Sequence, residues 1–364
     1  MQGWEKQTNP RRQGGADAVQ ACIFVIIPAH IDHPATRYMP KTTLLPLLAS
    51  GDYCSGQALA DALGVSRTAI WKQLNGLGEL GLEIESVKGR GYRIPGGIDL
   101  LDQGQIRDAL SPAAAGLLSH LLVLETVDST NAEAMRQLES GAASGLVCTA
   151  EQQSAGRGRR GRTWVSPFAR NLYVSLTWQY HQGAAALEGL SLAVGVAVAR
   201  ALKTSGLPPV QLKWPNDVIC GGAKLGGVLL EMAGDAAGSC QVVVGVGLNV
   251  SMPGSAATDI DQAWTDIETL SDGEHPGRNA LLAALLNELL PLLASFEQQG
   301  FAPWRHEWLA LDAFAGESVV LHTGASTMAG IARGVDARGA LQLETAGAGI
   351  QSIYGGEISL RRAP

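Results

Sequence analysis

Three arginines framed by three glycines stand near the middle of the chain, where residues 156–161 read Gly-Arg-Gly-Arg-Arg-Gly. Glycine lets the backbone approach a ligand closely and adopt positive φ. Guanidinium groups are always charged and offer forked donors that suit phosphate or carboxylate. For the Gly-Arg repeat taken alone, however, a flexible basic surface loop or a nucleic-acid patch is the favoured interpretation. The neighbouring sequence therefore has to decide between an anion-binding site, a surface loop and a nucleic-acid patch.

That setting is a predicted sheet. An apolar run at residues 145–150 precedes the arginine loop, and a strand-like alternation at 171–178 follows it. We therefore expect the loop at the mouth of a sheet rather than on a tail, which favours an anion-binding cradle.

A second concentration of charge lies between residues 213 and 231. The run at 213–217 reads Lys-Trp-Pro-Asn-Asp, and a tight turn after it predicts a hairpin. This hairpin would bring Lys213 and Asp217 close to Lys224, beside the arginine loop. A solvated, salt-bridged hairpin is the simpler interpretation, but Trp-Pro-Asn-Asp is an unusual stretch for a plain strand end. A further core strand is predicted at 241–250, where a lone Gly-x-Gly is a weak signal that indicates close packing.

Four small polar residues, Asp-Ser-Thr-Asn, occupy positions 128–131 between a predicted strand at 121–127 and a predicted helix at 132–138. An N-cap needs only one of the four side chains. The surplus hydroxyl and amide groups are available to a small polar ligand. The local sequence leaves both interpretations open.

Length and composition limit the classes of protein. A chain of 364 residues suggests two or three domains, and 46% hydrophobic residues provide a sizeable core. The net charge of −7 indicates a mildly acidic, soluble protein, so any contact with DNA must be local. Five scattered cysteines without a Cys-x-x-Cys spacing predict reduced thiols in a cytoplasm and no structural zinc.

Residues 1–40 are predicted to be an extension that is disordered or not native, with the folded protein beginning near Met39. An apolar run at 21–27 imitates a signal peptide, but Pro28 and later polar residues interrupt it. The run is also far shorter than the roughly 20 residues that a membrane-spanning helix needs.

The pattern from 42 to 94 predicts a winged helix-turn-helix. A helix at 57–63 ends at a glycine and a second begins at 67, the spacing that lets one helix brace another in the DNA major groove. Strand-like runs at 82–87 and 92–94 are joined by a basic tip suited to phosphates. A module for protein contact is the alternative, and Gly76, Gly78 and several glutamates weaken the DNA interpretation. The predicted DNA-binding residues are Ser66, Arg67, Thr68, Trp71, Lys72, Gln73, Lys88 and Arg90.

The predicted domains follow from these patterns. We expect the winged helix-turn-helix at 41–96, a short helical linker at 97–119, a central catalytic domain at 120–314 and a small domain at 315–364. Short strands at regular spacing predict a β-barrel for the last of these, similar to an SH3 domain.

The motifs, in their order, resemble bacterial biotin protein ligases. With the helix-turn-helix in front, the chain is similar to the bifunctional member, which is both biotin-[acetyl-CoA carboxylase] ligase and biotin operon repressor. The resemblance runs from about residue 42 to the C-terminus. It implies an α+β multidomain fold: an N-terminal winged helix-turn-helix, a central mixed α/β ligase domain similar to class II synthetases, and a C-terminal SH3-like β-barrel.

The resemblance also implies cofactors and partners. ATP with Mg²⁺ would activate biotin to biotinyl-5′-AMP, which serves as both intermediate and corepressor. The acceptor would be a lysine of the biotin carboxyl carrier protein of acetyl-CoA carboxylase. The other partners would be operator DNA of biotin synthesis genes and, with adenylate bound, a second copy of the chain. No membrane partner and no resident metal site are expected.

Roles for individual residues follow from the same resemblance. Ser129, Thr130, Asn131 and Gln153 would hold the ureido ring, and the arginine loop would close over the adenylate. We add the hypothesis that Asn216 and Asp217 position Mg²⁺-ATP or the incoming lysine amine. The predicted catalytic residues are Lys224, Arg157, Arg159 and Asp217; the biotin-binding residues are Ser129, Thr130, Asn131, Gln153, Arg157, Gly158, Arg159 and Lys224; the nucleotide-binding residues are Arg157, Arg159, Arg160, Trp164, Asn216 and Asn249.

Two other functions stay open. One is a biotin-sensing transcriptional regulator without ligase activity; the other is a lipoate or octanoate ligase on a related fold. The intact arginine loop and Lys224 argue against a sensor, which has no need of a cation at a reacting centre. Lys-Trp-Pro-Asn-Asp favours biotin over lipoate by resemblance only.

Overall fold

A computed structural model describes residues 41–234, 238–258, 260–322, 327–354 and 359–362. The predicted extension at 1–40 lies outside the described residues. The chain divides into two compact units, of which one ends at Gly97 and the other begins at Ile98.

The first unit is a helix-turn-helix followed by a hairpin. The Ser55 hydroxyl accepts a hydrogen bond from the Ala58 N–H at 3.0 Å and so caps one helix, and Ser66 caps the next in the same way. Gly64, in the left-handed region at φ 64°, ends the first of the two. The predicted helix-turn-helix is confirmed. Its elements are α1 (Leu45–Leu48), α2 (Gly56–Leu63), α3 (Arg67–Leu77), β1 (Glu85–Val87) and β2 (Gly91–Arg93).

Helix α3 is more regular than its glycines suggest. It continues through Gly76 to Leu77, because Ile70, Leu74 and Leu77 bury one apolar face. Only at Gly78 does the backbone change to a short 3-10 turn. Burial of the apolar face thus outweighs the low helix propensity of Gly76.

The second unit begins with a layered α/β structure. Its sheet has the strand order β3-β4-β5-β9-β8-β7-β6, in which β3 and β4 are parallel and the other neighbours are antiparallel. The elements are α4 (Gln103–Asp108), α5 (Pro112–Leu117), β3 (His120–Val127), α6 (Thr130–Glu139), β4 (Leu146–Gln153), β5 (Leu172–Tyr180), α7 (Leu190–Thr204), β6 (Gln211–Lys213), β7 (Asp217–Cys220), β8 (Ala223–Gly234), β9 (Cys240–Leu248), α8 (Ile267–Leu270), α9 (Arg278–Gln299) and α10 (Ala302–Leu311).

The two faces of the sheet differ in what covers them. Helices α7 and α9 pack on one face, where they share the main core with alternate valines of β9. Val243 points to the other face and packs with α6. Gly245 and Gly247 share the face of Val243. A Cβ on Gly245 would collide with the Asn131 amide, and one on Gly247 would lie 2.6 Å from the Trp164 ring. The glycines therefore leave room for a recess on this face.

Two apolar stretches are part of this core. Residues 97–119, predicted as a short helical linker, contribute the buried Ile106 of α4 and Ala114 of α5. Helix α9 is long and apolar enough for a membrane span by composition, but it is a mostly buried core helix. Its leucines contact α7 and the sheet, so its hydropathy reflects packing inside the protein.

The C-terminal domain is an antiparallel five-stranded sheet with the order β13-β12-β11-β10-β14. The predicted small β domain is confirmed, although the sequence did not predict β13, an edge strand with mostly exposed residues. The indole of Trp214 donates to the Gly339 carbonyl at 3.1 Å and so joins this domain to the turn before β7. The strands are β10 (Ser318–His322), β11 (Thr327–Val335), β12 (Leu341–Thr345), β13 (Gly349–Ile353) and β14 (Ser359–Arg362).

A buried ion pair fastens the start of the second unit to the sheet. The Arg278 guanidinium of α9 lies 2.7 Å from the Glu151 carboxylate of β4, with the two side chains 3% and 7% exposed. Arg278 also donates to the carbonyls of Asp99 at 2.6 Å and Asn171 at 2.8 Å, while Glu151 accepts from the Leu101 N–H at 2.6 Å. These hydrogen bonds satisfy the buried charges, which a buried ion pair requires.

We expect Arg278→Ala to destabilise the second unit by about 3–5 kcal/mol, because it leaves the Glu151 carboxylate buried without its cation. Urea denaturation measures the free energy of unfolding. Arg333→Ala is the matched control, since the Arg333–Glu344 pair is 2.6 Å long but has side chains 45% and 42% exposed. The control should lose less than about 1 kcal/mol. Equal losses in the two variants would contradict a special role for burial.

Candidate active site

A cavity of about 390 Å³ opens over the glycine-lined face of the sheet. Its lining residues come from segments near both ends of the strand order and from β14 of the C-terminal domain. The lining includes Ser129, Thr130, Asn131, Gln153, Arg157, Gly158, Arg159, Arg160, Trp164, Lys213, Asn216, Asp217, Lys224, Gly227, Gly245, Gly247 and Arg361.

One part of the wall is a polar cluster, formed by Ser129, Thr130, Asn131 and Gln153, with Ser175 supporting Thr130 and Asn131 from behind. The Gln153 side-chain oxygen accepts from the Thr130 N–H at 2.9 Å and from its hydroxyl at 3.2 Å. The Ser175 hydroxyl lies 2.6 Å from Asn131 Oδ1. Ser129 occupies the N-cap position of α6, but its hydroxyl makes no capping hydrogen bond. Capping alone therefore does not account for the cluster, which holds donors and acceptors in fixed positions for a small polar ligand.

An ion pair braces the turn that carries this cluster. The Arg136 guanidinium contacts both Asp128 carboxylate oxygens, at 2.7 and 2.9 Å. Asp128 Oδ1 also accepts from the Ser129 N–H at 2.8 Å. The hydrogen bonds from Arg136 lower the pKa of Asp128 to about 2. The carboxylate thus stays charged and keeps the start of α6 in place.

The second part of the wall is a cationic cluster of Lys213, Lys224 and Arg159 around Asp217 and Asn216. Lys224 Nζ lies 2.7 Å from Asp217 Oδ1, and Lys213 Nζ lies 3.6 Å from Oδ2. Arg159 donates to the Asn216 amide oxygen at 3.0 Å. The strands β6, β7 and β8 pair consecutively, so the hairpin brings the two lysines to one carboxylate as the sequence predicts.

Burial and mutual repulsion act on these cations. Desolvation lowers the pKa of Lys213, which the Asp217 carboxylate partly offsets and Lys224 reinforces. Burial also lowers the pKa of Arg159, which nevertheless stays charged. A ligand with negative charge would relieve the repulsion, so the cluster is suited to phosphate and carboxylate groups.

The arginine loop closes on itself beside both clusters. The Gly158 N–H donates to the Arg162 carbonyl at 2.8 Å, and the Trp164 N–H donates to the Gly156 carbonyl at 2.9 Å. Arg160 has a φ of 61°, a strained value for a side chain other than glycine. The loop is therefore held in a defined turn that exposes several guanidinium groups to the cavity.

Trp164 lines both this cavity and a neighbouring one. Lys224 Nζ lies 5.5 Å from the centre of its ring. The neighbouring cavity, of about 360 Å³, is lined by Trp164, Asn249 and Trp264 among others. Asn249, predicted to bind nucleotide, belongs to this second cavity, and its amide donates to the Thr265 carbonyl at 3.0 Å. Among the predicted nucleotide ligands, Trp164 thus lines both cavities and Asn249 lines the second, whereas the first is lined by Arg157, Arg159, Arg160 and Asn216.

Comparisons with known proteins identify the family. Residues 123–249 match the biotin/lipoate A/B protein ligase family, residues 41–93 an HTH domain, and residues 314–361 the biotin protein ligase C terminal domain. The bifunctional ligase/repressor BirA of Escherichia coli (strain K12) is 41% identical over 320 residues, which cover 88% of this chain and 97% of that protein. The chain belongs to the BirA family of bifunctional ligase/repressors.

Other relatives agree with this membership. The BirA protein of Bacillus subtilis (strain 168) is 30% identical over 313 residues, covering 86% of this chain and 95% of that protein. Among solved structures, the biotin protein ligase from Aquifex aeolicus in complex with biotin and ATP superposes with a TM-score of 0.57 and 29% identity, over 68% of this chain and all of that one. The predicted family and its three-part organisation are confirmed.

The structure of this BirA-family protein adds site residues that the sequence did not predict. Arg361 reaches the cavity from β14, far away in the chain. Ser175 of β5 supports Thr130 and Asn131. Glu231 of β8 contacts both Asn131 and Arg157. For Glu231 a signal existed, since it lies an even number of positions after the lining residues Gly227 and Leu229, on the same face of a strand.

In the helix-turn-helix unit, most predicted DNA-binding side chains are exposed. Trp71 is 56% exposed, and Arg67, Thr68, Lys72, Lys88 and Arg90 are also exposed. Ser66 and Gln73 fit a DNA-contacting role less well. The Ser66 hydroxyl caps α3, and Gln73 is half-buried with its side-chain oxygen out of contact with solvent. Arg90 stacks 4.0 Å over the Tyr53 ring, which orients it at the tip of the hairpin.

We expect the stabilising effect of the Asp128–Arg136 pair to vanish in acid. The folded protein lowers the pKa of Asp128 to about 2, so the pair stabilises the fold above the usual pKa of a carboxyl and loses its effect as pH falls through the lowered value. Both side chains are about half exposed, so Arg136→Ala should cost less than about 1 kcal/mol at pH 6. The difference in unfolding free energy between wild type and variant should be smaller at pH 3. A difference that grows in acid would contradict this assignment.

Proposed function

We propose that the protein activates biotin with ATP to biotinyl-5′-AMP and transfers the biotinyl group to a lysine of the biotin carboxyl carrier protein of acetyl-CoA carboxylase. It also represses biotin biosynthesis genes in response to biotin. The observation that carries the ligase proposal is the cationic cluster beside the polar cluster in one cavity. Membership of the BirA family supports both activities.

The chemistry requires that two anions meet. In the first step a biotin carboxylate oxygen attacks the α-phosphorus of ATP, and the bond to pyrophosphate breaks. Lys224 lies beside Gly227 and Trp164 with its ammonium group in the cavity. It neutralises the charge that develops at the carboxylate and phosphate, while Arg159 and Lys213 lower the repulsion between the reactants.

In the second step the acceptor lysine amine attacks the acyl carbon of the adenylate. AMP departs with the oxygen that joined it to the acyl group, and the amine releases a proton. Lys224 contacts the same carboxyl and phosphate groups, so it stabilises charge in both steps. The Asp217 carboxylate lies 2.7 Å from the Lys224 ammonium group. We assign this carboxylate to orienting the acceptor amine.

The polar cluster is assigned to the ureido ring of biotin. This ring offers one carbonyl acceptor and two N–H donors, which match the hydroxyls of Ser129 and Thr130 and the amides of Asn131 and Gln153. The nucleotide is assigned to the side of Trp164, with Arg157, Arg159, Arg160 and Asn216 near its phosphates. The neighbouring cavity, which Trp164 and Asn249 line, is assigned to the adenine base of the nucleotide.

Magnesium is proposed to enter with ATP. Asn216 and Asp217 offer oxygen ligands of the kind that Mg²⁺ prefers. Both Asp217 oxygens already contact lysines, and the described residues contain no group of three or more His, Cys, Asp or Glu that could hold a metal. Mg²⁺ would therefore be bound chiefly by phosphate and water, and it would supply further charge neutralisation.

Repression is proposed to require a dimer. Asn216 bonds to the backbone of Val228 on the outer edge of β8. Beyond Val228, within the described residues, β8 pairs as a strand only with β9, so this part of its other edge is available to a second copy. Adenylate binding would order the arginine loop beside this edge and favour pairing, and a two-fold dimer would present two helix-turn-helix units to operator DNA. ATP, biotin and operator DNA meet in the cytoplasm, where we place the protein.

We expect Lys224→Ala to lower biotin-dependent pyrophosphate release by at least about a hundredfold, since removal of one charge-stabilising donor at a reacting centre typically has this effect. Pyrophosphate release from Mg²⁺-ATP is measured with biotin, lipoate or octanoate as the only acid. Lys203→Ala, at an exposed position in the last turn of α7, is the control. Near-normal release in Lys224→Ala would remove Lys224 from its role. If pyrophosphate is released with lipoate or octanoate but not with biotin, the substrate is that acid and not biotin.

We expect the double change Lys88→Ala with Arg90→Ala to weaken operator binding at every salt concentration, because two phosphate contacts are lost in each subunit of the proposed dimer. The slope of the logarithm of affinity against the logarithm of salt concentration should therefore fall by about four. Gel-shift titrations at several salt concentrations measure this, with pyrophosphate release as the control for an intact ligase unit. An unchanged slope would contradict the assignment of the hairpin tip.

A further inference from the structure

Glu231 joins the polar cluster to the arginine loop. Its Oε2 accepts a hydrogen bond from Asn131 Nδ2 at 2.7 Å and one from Arg157 Nη2 at 3.2 Å. Its Oε1 lies 3.2 Å from Arg157 Nη1. One carboxylate thus contacts a residue assigned to the ligand and a residue assigned to the loop that covers the ligand.

The contact with Asn131 fixes the orientation of the buried amide. The Asn131 oxygen faces the Ser175 hydroxyl at 2.6 Å, and its nitrogen faces Glu231 and the Leu229 carbonyl. Gly245 lies directly beneath, where a Cβ would collide with the amide oxygen. The Ser175 hydroxyl can donate or accept, but only acceptors stand on the nitrogen side, so a flipped amide would set its oxygen against the Glu231 carboxylate and the Leu229 carbonyl.

The contact with Arg157 has a different consequence. The guanidinium lines the cavity but is paired with Glu231, and the two side chains are 46% and 28% exposed. Lys213 and Lys224 already pair with Asp217, and Arg159 already donates to Asn216. An anionic ligand therefore competes with Glu231 for Arg157.

We propose that Glu231 is a positioning residue that orients Asn131 for the ureido ring and holds Arg157 against β8 until the adenylate takes the guanidinium over. This inference rests on the proposed function for the identity of the ligand. The pair is partly exposed and is worth no more than about a fivefold change in an equilibrium constant. The Glu231–Arg157 ion pair, called the latch below, is therefore weak enough for an anionic ligand to displace.

Two substitutions separate the two roles. Glu231→Gln keeps an acceptor for the Asn131 nitrogen but removes the charge that holds Arg157, whereas Glu231→Ala removes both. Glu344→Gln is the matched control, because Glu344 pairs with Arg333 on the C-terminal domain, away from the cavity residues.

The first measurement is the rate of trypsin cleavage after Arg159, Arg160 and Arg162 in the ligand-free protein, followed by mass spectrometry. Cleavage should be a few times faster in both Glu231 variants and unchanged in Glu344→Gln. Equal rates in wild type and Glu231→Gln would overturn the latch. This arm needs no ligand, so it tests the latch even if the proposed ligase function fails.

The second measurement is the dissociation constant for biotin together with kcat and KM for pyrophosphate release. Glu231→Gln should bind biotin as tightly as wild type or up to about fivefold more tightly, because Arg157 no longer has to leave a carboxylate. Glu231→Ala should bind biotin about tenfold more weakly, because the Asn131 amide loses a charged acceptor. An equal loss of affinity in both variants would overturn the orienting role. Absence of biotin binding in the wild type would instead refute the proposed function.

Discussion

The sharing of Asp217 by two ammonium groups is the constraint on which the ligand-binding part of the protein depends. Lys213 and Lys224 are held near one carboxylate in a partly buried place, where like charges repel more strongly than in water. Desolvation lowers the pKa of Lys213, and the Lys224 charge adds to this effect. Consecutive pairing of β6, β7 and β8 holds the three groups together. An anionic substrate would relieve the repulsion between the two ammonium groups, so the cluster favours binding of carboxylate and phosphate.

The sheet supplies the second requirement, which is space. Strand β9 places valines on the face that packs against α7 and α9, and it places Gly245 and Gly247 on the other face. The missing side chains let the Asn131 amide and the Trp164 ring lie directly on the backbone. The same strand is thus both a core element and the floor of the cavity, because neighbouring residues of a strand point to opposite faces.

The C-terminal domain is part of the site rather than an appendage. The indole of Trp214 donates to Gly339, so the turn that carries Asn216 and Asp217 is supported by the loop between β11 and β12. Arg338 of the same loop pairs with Glu188 before α7. Arg361 contributes a further cation to the cavity wall. The C-terminal domain thus supports the segment that carries the cationic cluster and completes the cavity wall.

The sequence by itself determined the elements and much of the chemistry. Period-2 and helical patterns located the helix-turn-helix and most strands, and adjacency in the chain predicted the Lys213–Asp217–Lys224 hairpin, because a tight turn leaves little choice of partners. The sequence also indicated close packing at the Gly-x-Gly of β9. Only the tertiary structure decided what packs there, since the partners Asn131 and Trp164 come from distant segments. The same holds for Glu231 between Asn131 and Arg157, for Arg361 in the cavity and for the buried Arg278–Glu151 pair. Each joins residues that are far apart in the chain, and local pattern carries no information on such pairs because side-chain packing and sheet order fix them.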